Sequence, residues 1–359
     1  MGSVGAYLTV KGLFLATLAV VVGSFPLAKL TAFDAGWYLT VVDEGYGVAS
    51  RSNLAFFPLL PGLARIPMAL GVPSAWAVLV MAWLGSVVAV VGIHRVGAEL
   101  GSAAVGFWLA FCWAVAPRSH VQVMGYAEGW FTAFVAWGLW AMLTRRRWLA
   151  GFMGLLAGLT QASALVYIGV LWLWWLAGVV GNRGQRGWRA RLCLERLGAA
   201  ALGSAGFALF WLYVAYRTGS ITGYLDIRRD WNSVAGSPWP NLVKTWNVLT
   251  PGYEGTSFTG LITPAIAIAL AVVLLLVMIY MREHWLAVML LLLGLVLVLM
   301  QQEDYHSKAR MLMPWFVMWL PLARLFARCS AWVMVPVALT LTVVSVMWGL
   351  DAAAYRYSP

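Results

Sequence analysis

LITPAIAIALAVVLLLVMIY-MREH-WLAVMLLLLGLVLVLM, from Leu261 to Met300, is two apolar runs parted by a short turn carrying Arg282, Glu283 and His284. A helix needs roughly 20 apolar residues to cross the hydrocarbon core of a bilayer. Both runs therefore predict membrane helices joined by a tight polar connection. The pattern recurs outward in both directions. Apolar runs near 8–30, 75–94, 102–117, 126–144, 148–162, 164–181, 197–216, 261–281, 285–300, 311–327 and 331–350 predict ten or eleven spans, the Gly-rich 148–162 run being the short one. The fold class this predicts is an all-α polytopic membrane protein, with 1–359 as a single domain.

Composition agrees. The 359 residues are 62% hydrophobic and 10% charged, with mean hydropathy +0.82, whereas a soluble domain carries about 25% charged residues. A soluble enzyme, a disordered tail and a nucleic-acid-binding domain are excluded. Cys112 sits in an apolar run, while Cys193 and Cys329 lie beside arginines, so no pair points to a disulfide or a metal site. The first run lacks a small-residue cleavage site and reads as a retained helix. Arginines outnumber lysines twenty to four, a bias of GC-rich bacterial genomes.

The net charge of +11 reads as topology. With the N-terminus in the cytoplasm, Lys11, Arg95, Arg145, Arg146, Arg147, Arg183, Arg186, Arg189, Arg191, Arg196, Arg282, Arg324 and Arg328 fall inside with only Glu99, Glu195 and Glu283, whereas the other face is almost balanced. The positive-inside rule selects that orientation. Two longer polar segments then lie outside, 31–74 and 217–260. Both mix Trp, Tyr and Phe with Pro and Gly, as interfacial helices and turns do at headgroup depth.

Most of the acids also lie on that outer face. Asp34, in Ala32-Phe33-Asp34-Ala35-Gly36-Trp37-Tyr38, reads both as the N-cap of a helix starting at Ala35 and as a partly desolvated carboxylate able to act as a base. Asp43 and Glu44 would stand at the far end of that helix, so a close carboxylate dyad with Asp34 is not expected. Glu128, at the outer end of a span, needs a partner or a cavity; Arg118 and His120 are the nearby candidates. In Gln301–Pro314, QQEDYHSKARMLMP, the residues His306, Lys308 and Arg310 read equally as a phosphate clamp and as side chains snorkelling to headgroups. No zinc spacing, Walker loop, Gly-x-Ser-x-Gly elbow or dinucleotide fingerprint occurs.

Phe33-Asp34-Ala35-Gly36-Trp37-Tyr38, then Gly45-Tyr46, then Ala55-Phe56-Phe57-Pro58-Leu59-Leu60-Pro61 resembles the first outer loop of PIG-V-type mannosyltransferases, members of the C-fold (GT-C) integral membrane glycosyltransferases. Tyr126-Ala127-Glu128, Thr218-Gly219-Ser220 through Trp231, and Lys308 through Pro314 are similar to further elements of that family. After the fifth span the family shows Thr-Arg-Pro, where this chain has Thr160-Gln161-Ala162-Ser163, so the contact made by that arginine is in doubt.

The resemblance implies a bacterial plasma-membrane enzyme that moves a sugar, usually mannose, from a polyprenyl-phosphate donor to a hydroxyl on the extracytoplasmic face, with inversion. Asp34 would be the base. Arg310, with His306 or Lys308, would surround the phosphate. Tyr38, Asp43, Glu44, Tyr46, Tyr126, Glu128 and Gln161 would shape the sugar and acceptor site. No metal or cofactor is implied. The acceptor would be a glycolipid, a polysaccharide or a protein. The competing readings are a transporter or flippase, which should show paired inverted repeats with mid-membrane charges, and an inactive scaffold of the same fold.

Overall fold

The structure, a computed structural model, describes residues 2–47, 50–181, 188–231, 235–251, 253, 258–302 and 304–354. Its helices are α1 (Gly2–Val22), α2 (Leu27–Leu30), α3 (Asp34–Asp43), α4 (Leu59–Met68), α5 (Ser74–Leu100), α6 (Ala103–Val115), α7 (Glu128–Leu143), α8 (Arg147–Gly158), α9 (Ala164–Gly181), α10 (Trp188–Thr218), α11 (Gly223–Asp230), α12 (Trp239–Leu249), α13 (Thr263–Tyr280), α14 (Trp285–Met300), α15 (Lys308–Leu312), α16 (Leu320–Phe326) and α17 (Ala331–Ala354). Among the described residues the β structure is an isolated bridge between Ala235 and Gln301. Five helices are long and apolar enough to cross a membrane, and four shorter apolar helices accompany them. The chain is an all-α polytopic membrane protein.

Two spans differ from their predicted form. The first ends at Val22 rather than continuing to Leu30. Gly23 takes φ 78°, and Pro26 disfavours a helical conformation in the residue before it. The 311–327 run is broken. α15 stops near Pro314, a 3-10 turn covers Phe316–Trp319, and α16 starts with Pro321 in its first turn. The break at Pro314 adjoins the cavity described below.

A third irregular segment, 116–127, connects α6 to α7 and is buried. Backbone in that position must have its polar groups satisfied by protein. Lys11 Nζ donates to Ala114 O at 2.6 Å and to Ser119 O at 2.9 Å. Gln122 Nε2 donates to Trp113 O (2.9 Å), Trp83 Nε1 to Val123 O (2.6 Å) and Ser86 Oγ to Gln122 O (2.9 Å). Lys11 thus sits buried midway along α1 and does not belong to the inner-face charges, of which Arg183 and Arg186 lie outside the described residues. The excess of basic over acidic residues on that face survives its removal.

The short Gly-rich run is a helix, and its glycines have a function. They form the seam with α10. A Cβ on Gly151 would stand 2.6 Å from Ala199 O, and one on Gly158 would stand 2.5 Å from Phe207 N. Without a hydrophobic driving force between helices in lipid, small residues at such a seam permit the close packing that holds the pair. At the basic end of the bundle, Arg324 Nη2 pairs with Glu283 at 2.8 Å and donates to Leu100 O at 2.7 Å, and Arg147 pairs with Glu195 at 3.1 Å. At the other end the two polar segments meet. Arg217 Nη2 donates to Tyr46 O at 2.7 Å, and Trp231 Nε1 donates to Ser52 O at 3.3 Å. α12 lies across the end of α14, with Asn241 Nδ2 bonded to Leu299 O and Gln301 O, both at 2.8 Å, and with Trp239 and Trp246 exposed.

Candidate active site

Asp34 is the first residue of α3, preceded by Phe33 at φ 57°, and no side chain caps the helix. The N-cap expectation therefore fails. The Asp34 carboxylate turns away from the helix and accepts from Arg310 Nη1 at 2.6 Å. Its place in the first turn still suits a negative charge, because the helix dipole is positive there. Arg310 belongs to the short α15, beside the Pro314 break. Its Nε stands 3.5 Å from Glu128 Oε1, and its guanidinium lies 5.3 Å from the centre of the Tyr126 ring. Glu128 opens α7. Gly125 N donates to Leu30 O at 2.9 Å, which fastens the bend that follows the 3-10 turn Ser119–Val123 against the start of the first polar segment.

Three distant parts of the chain thus meet around one guanidinium. The partner of Glu128 is Arg310, not the sequence neighbours Arg118 and His120. Arg118 takes φ 64° and directs Nη2 toward His306 O at 3.5 Å, and His120 is buried with its ring 6.1 Å from that of Phe14. The local sequence favoured them, but the turn carries both side chains away from α7.

A cavity of about 300 Å³ opens beside this cluster. Asp34, Glu128 and Arg310 line it, together with Tyr38, one turn along α3, and with His306 and Gln161. Gln161, the departure from the Thr-Arg-Pro pattern, thus occupies the cavity wall. The remaining residues of the sequence reading stand elsewhere. Lys308 is fully buried and donates from Nζ to Gln301 O, so its charge serves the end of α14 rather than the cavity. Tyr126 lies behind Arg310 and is buried. Asp43 accepts from Ser74 Oγ at 3.3 Å, and Glu44 is exposed at the far end of α3. Tyr46 donates to Phe56 O at 2.8 Å and packs on Tyr213.

Other residues of the wall were given no role in the site from the sequence. Tyr224, Arg228 and Trp231 face the cavity from α11 and its end. Their i, i+4, i+7 spacing was a legible signal, since such positions share one helical face. Gln301 and Asp304 also line it, but they carry no periodic pattern. Aromatic rings join the two polar segments at the rim, with Trp37 and Trp231 edge to face at 5.1 Å and Phe56 and Trp231 at 5.7 Å. Among the described residues no three His, Cys, Asp or Glu side chains gather to hold a metal ion.

The electrostatics follow from burial and pairing. Burial acts against the charge of Arg310, but Asp34 and Glu128 more than reverse it, and the guanidinium pKa lies above its ordinary value. Burial lowers the His306 pKa. Asp304 opposes this, while Arg118, Arg310 and Lys244 each add to it, so the imidazole is neutral at pH 7. Burial, and then the charges of Glu128 and Asp34, raise the Tyr38 pKa and keep it a hydroxyl donor. The cavity thus offers the Arg310 guanidinium beside two carboxylates, with Arg228 and Asp304 elsewhere in the wall and with neutral hydrogen-bonding groups among them.

No protein-family profile matches this chain, and a search of curated proteins found no match either. Solved structures do match. ArnT from Cupriavidus metallidurans, crystallised bound to undecaprenyl phosphate, is similar at a TM-score of 0.58 and 13% identity over 92% of this chain and 62% of ArnT. An oligosaccharyltransferase from Archaeoglobus fulgidus, tethered to an acceptor peptide, aligns at a TM-score of 0.48 and 12% identity over 98% of this chain and 56% of its own. This chain therefore spans about three fifths of the length of ArnT. The likeness to ArnT is one of fold, an all-α membrane architecture.

Proposed function

We propose that the chain is an integral membrane glycosyltransferase that moves a sugar from a polyprenyl-phosphate donor to a hydroxyl acceptor on the extracytoplasmic face. Mannose is the sugar favoured by the likeness of its first polar segment to that of PIG-V-type enzymes. The acceptor oxygen attacks the sugar C1 as the C1–O bond to phosphate breaks, and the single displacement inverts the anomeric centre. Asp34 takes the hydroxyl proton. Arg310 holds the charge that develops on the departing phosphate, and a guanidinium fork suits that geometry. His306 and Gln161 supply neutral hydrogen bonds at the same wall.

One observation carries this reading: a first-turn carboxylate and a buried arginine adjoin in a single cavity at the end of the bundle where the helices break. The ArnT structure, which shares the fold, was obtained with undecaprenyl phosphate bound, and this supports a lipid-phosphate donor here. Incubating purified protein with polyprenyl-phosphate mannose and candidate glycolipid, polysaccharide and peptide acceptors tests the proposal. Transfer should occur with one acceptor class, and Asp34→Asn should lower it by about 10²-fold or more while leaving the protein folded. Wild-type turnover in Asp34→Asn would exclude the assigned base.

A further inference from the structure

The residue assigned as base is already engaged. Arg310 Nη1 donates to Asp34 Oδ2 at 2.6 Å, while Nε faces Glu128 at 3.5 Å without a hydrogen bond. A carboxylate so occupied, with its charge compensated, is poorly placed to accept a proton from a hydroxyl. The three side chains together carry one net negative charge when both acids are ionised. They are mostly shielded, at 11% exposure for Arg310, 29% for Asp34 and 14% for Glu128. A phosphate entering beside Arg310 would add a further anion to a site where charges are weakly screened. Of the two carboxylates, Asp34 is the more exposed, and it holds the Nη edge of the fork. Glu128 is fixed at the start of α7 and holds the Nε edge.

We infer that Asp34 and Arg310 form a latch that the donor phosphate opens: phosphate takes the Nη1 contact, Asp34 is released into the cavity, and Glu128 keeps the guanidinium in place as a positioning residue. The inference rests on the donor reading above. Its consequence is order. The base becomes available to an acceptor hydroxyl only once the lipid phosphate is bound, so the acceptor binds productively in second place. No covalent step is involved; one ion pair is exchanged for another.

Undecaprenyl phosphate, without a sugar, is the probe, with the full chain in lipid nanodiscs. Infrared difference spectra on adding it should show a shifted carboxylate stretch that disappears in Asp34→Asn. Because Asp34 competes with phosphate for Arg310, Asp34→Asn should also bind the probe about tenfold more tightly, equivalent to ~1.4 kcal/mol. A residue serving solely as a base would leave that affinity unchanged. Saturable binding with no Asp34-dependent band, or with equal or weaker affinity in Asp34→Asn, would overturn the latch while leaving the donor reading in place. Failure of undecaprenyl phosphate to bind at all would remove both.

Discussion

Arg310 shows how much depends on the chemistry of a single side chain. It balances two carboxylates from α3 and α7. Removing one partner from a buried ion pair is far costlier than the pair's net worth, because an uncompensated charge stays behind. Arg310→Ala should therefore lose about 3 kcal/mol of stability, measured by denaturant unfolding in detergent, and should abolish use of the lipid-phosphate donor. Arg310→Lys keeps the charge but not the planar fork. It should unfold close to wild type while donor kcat/KM falls about tenfold or more; equal donor use by the lysine variant would count against fork recognition. His306 gives a pH signature. Its native pKa lies below the unfolded value of 6.5, so the unfolded chain binds more protons as the pH falls through that value, and stability drops on acidification. His306→Gln should lose less of its thermal midpoint than wild type between pH 7 and about pH 5.5.

Among elements, irregularities in the helices decide the architecture. α8 was the most doubtful span in the sequence, since its glycines shorten the apolar run. Those glycines are what let it lie against α10. Gly158→Leu should push the two helices apart, cost about 1–3 kcal/mol as overpacking does, and lower transfer too, because Gln161 follows only three residues later in the cavity wall. The buried α6–α7 connection depends likewise on Lys11. Lys11→Met fits the apolar length but leaves the carbonyls of Ala114 and Ser119 without that donor. A loss of about 2 kcal/mol is expected from unmade buried hydrogen bonds, read as a lower thermal midpoint. An unchanged midpoint would show that the connection is held by its other donors alone.

For the whole molecule, the proposed topology puts the cavity end outside the cytoplasm, because the basic excess lies at the other end of the bundle. In a cysteine-free background, Glu44→Cys should react with a membrane-impermeant maleimide on intact cells, and Arg146→Cys should react only after lysis. The reverse pattern would invert the proposed topology. What could be read from sequence alone was the membrane class, the approximate spans, the two polar segments and the carboxylate at position 34. Each of these is set by local composition, since apolar length and charge placement along the chain decide whether a segment enters lipid. Which charges meet was settled only by packing. Asp34 and Arg310 lie 276 positions apart, Glu128 passes over its sequence neighbours to reach the same guanidinium, and Lys308, two residues from Arg310, is drawn instead to the end of α14. In a low-dielectric interior a charge goes to whichever partner the folded helices bring within reach, and spacing along the chain carries no record of that choice.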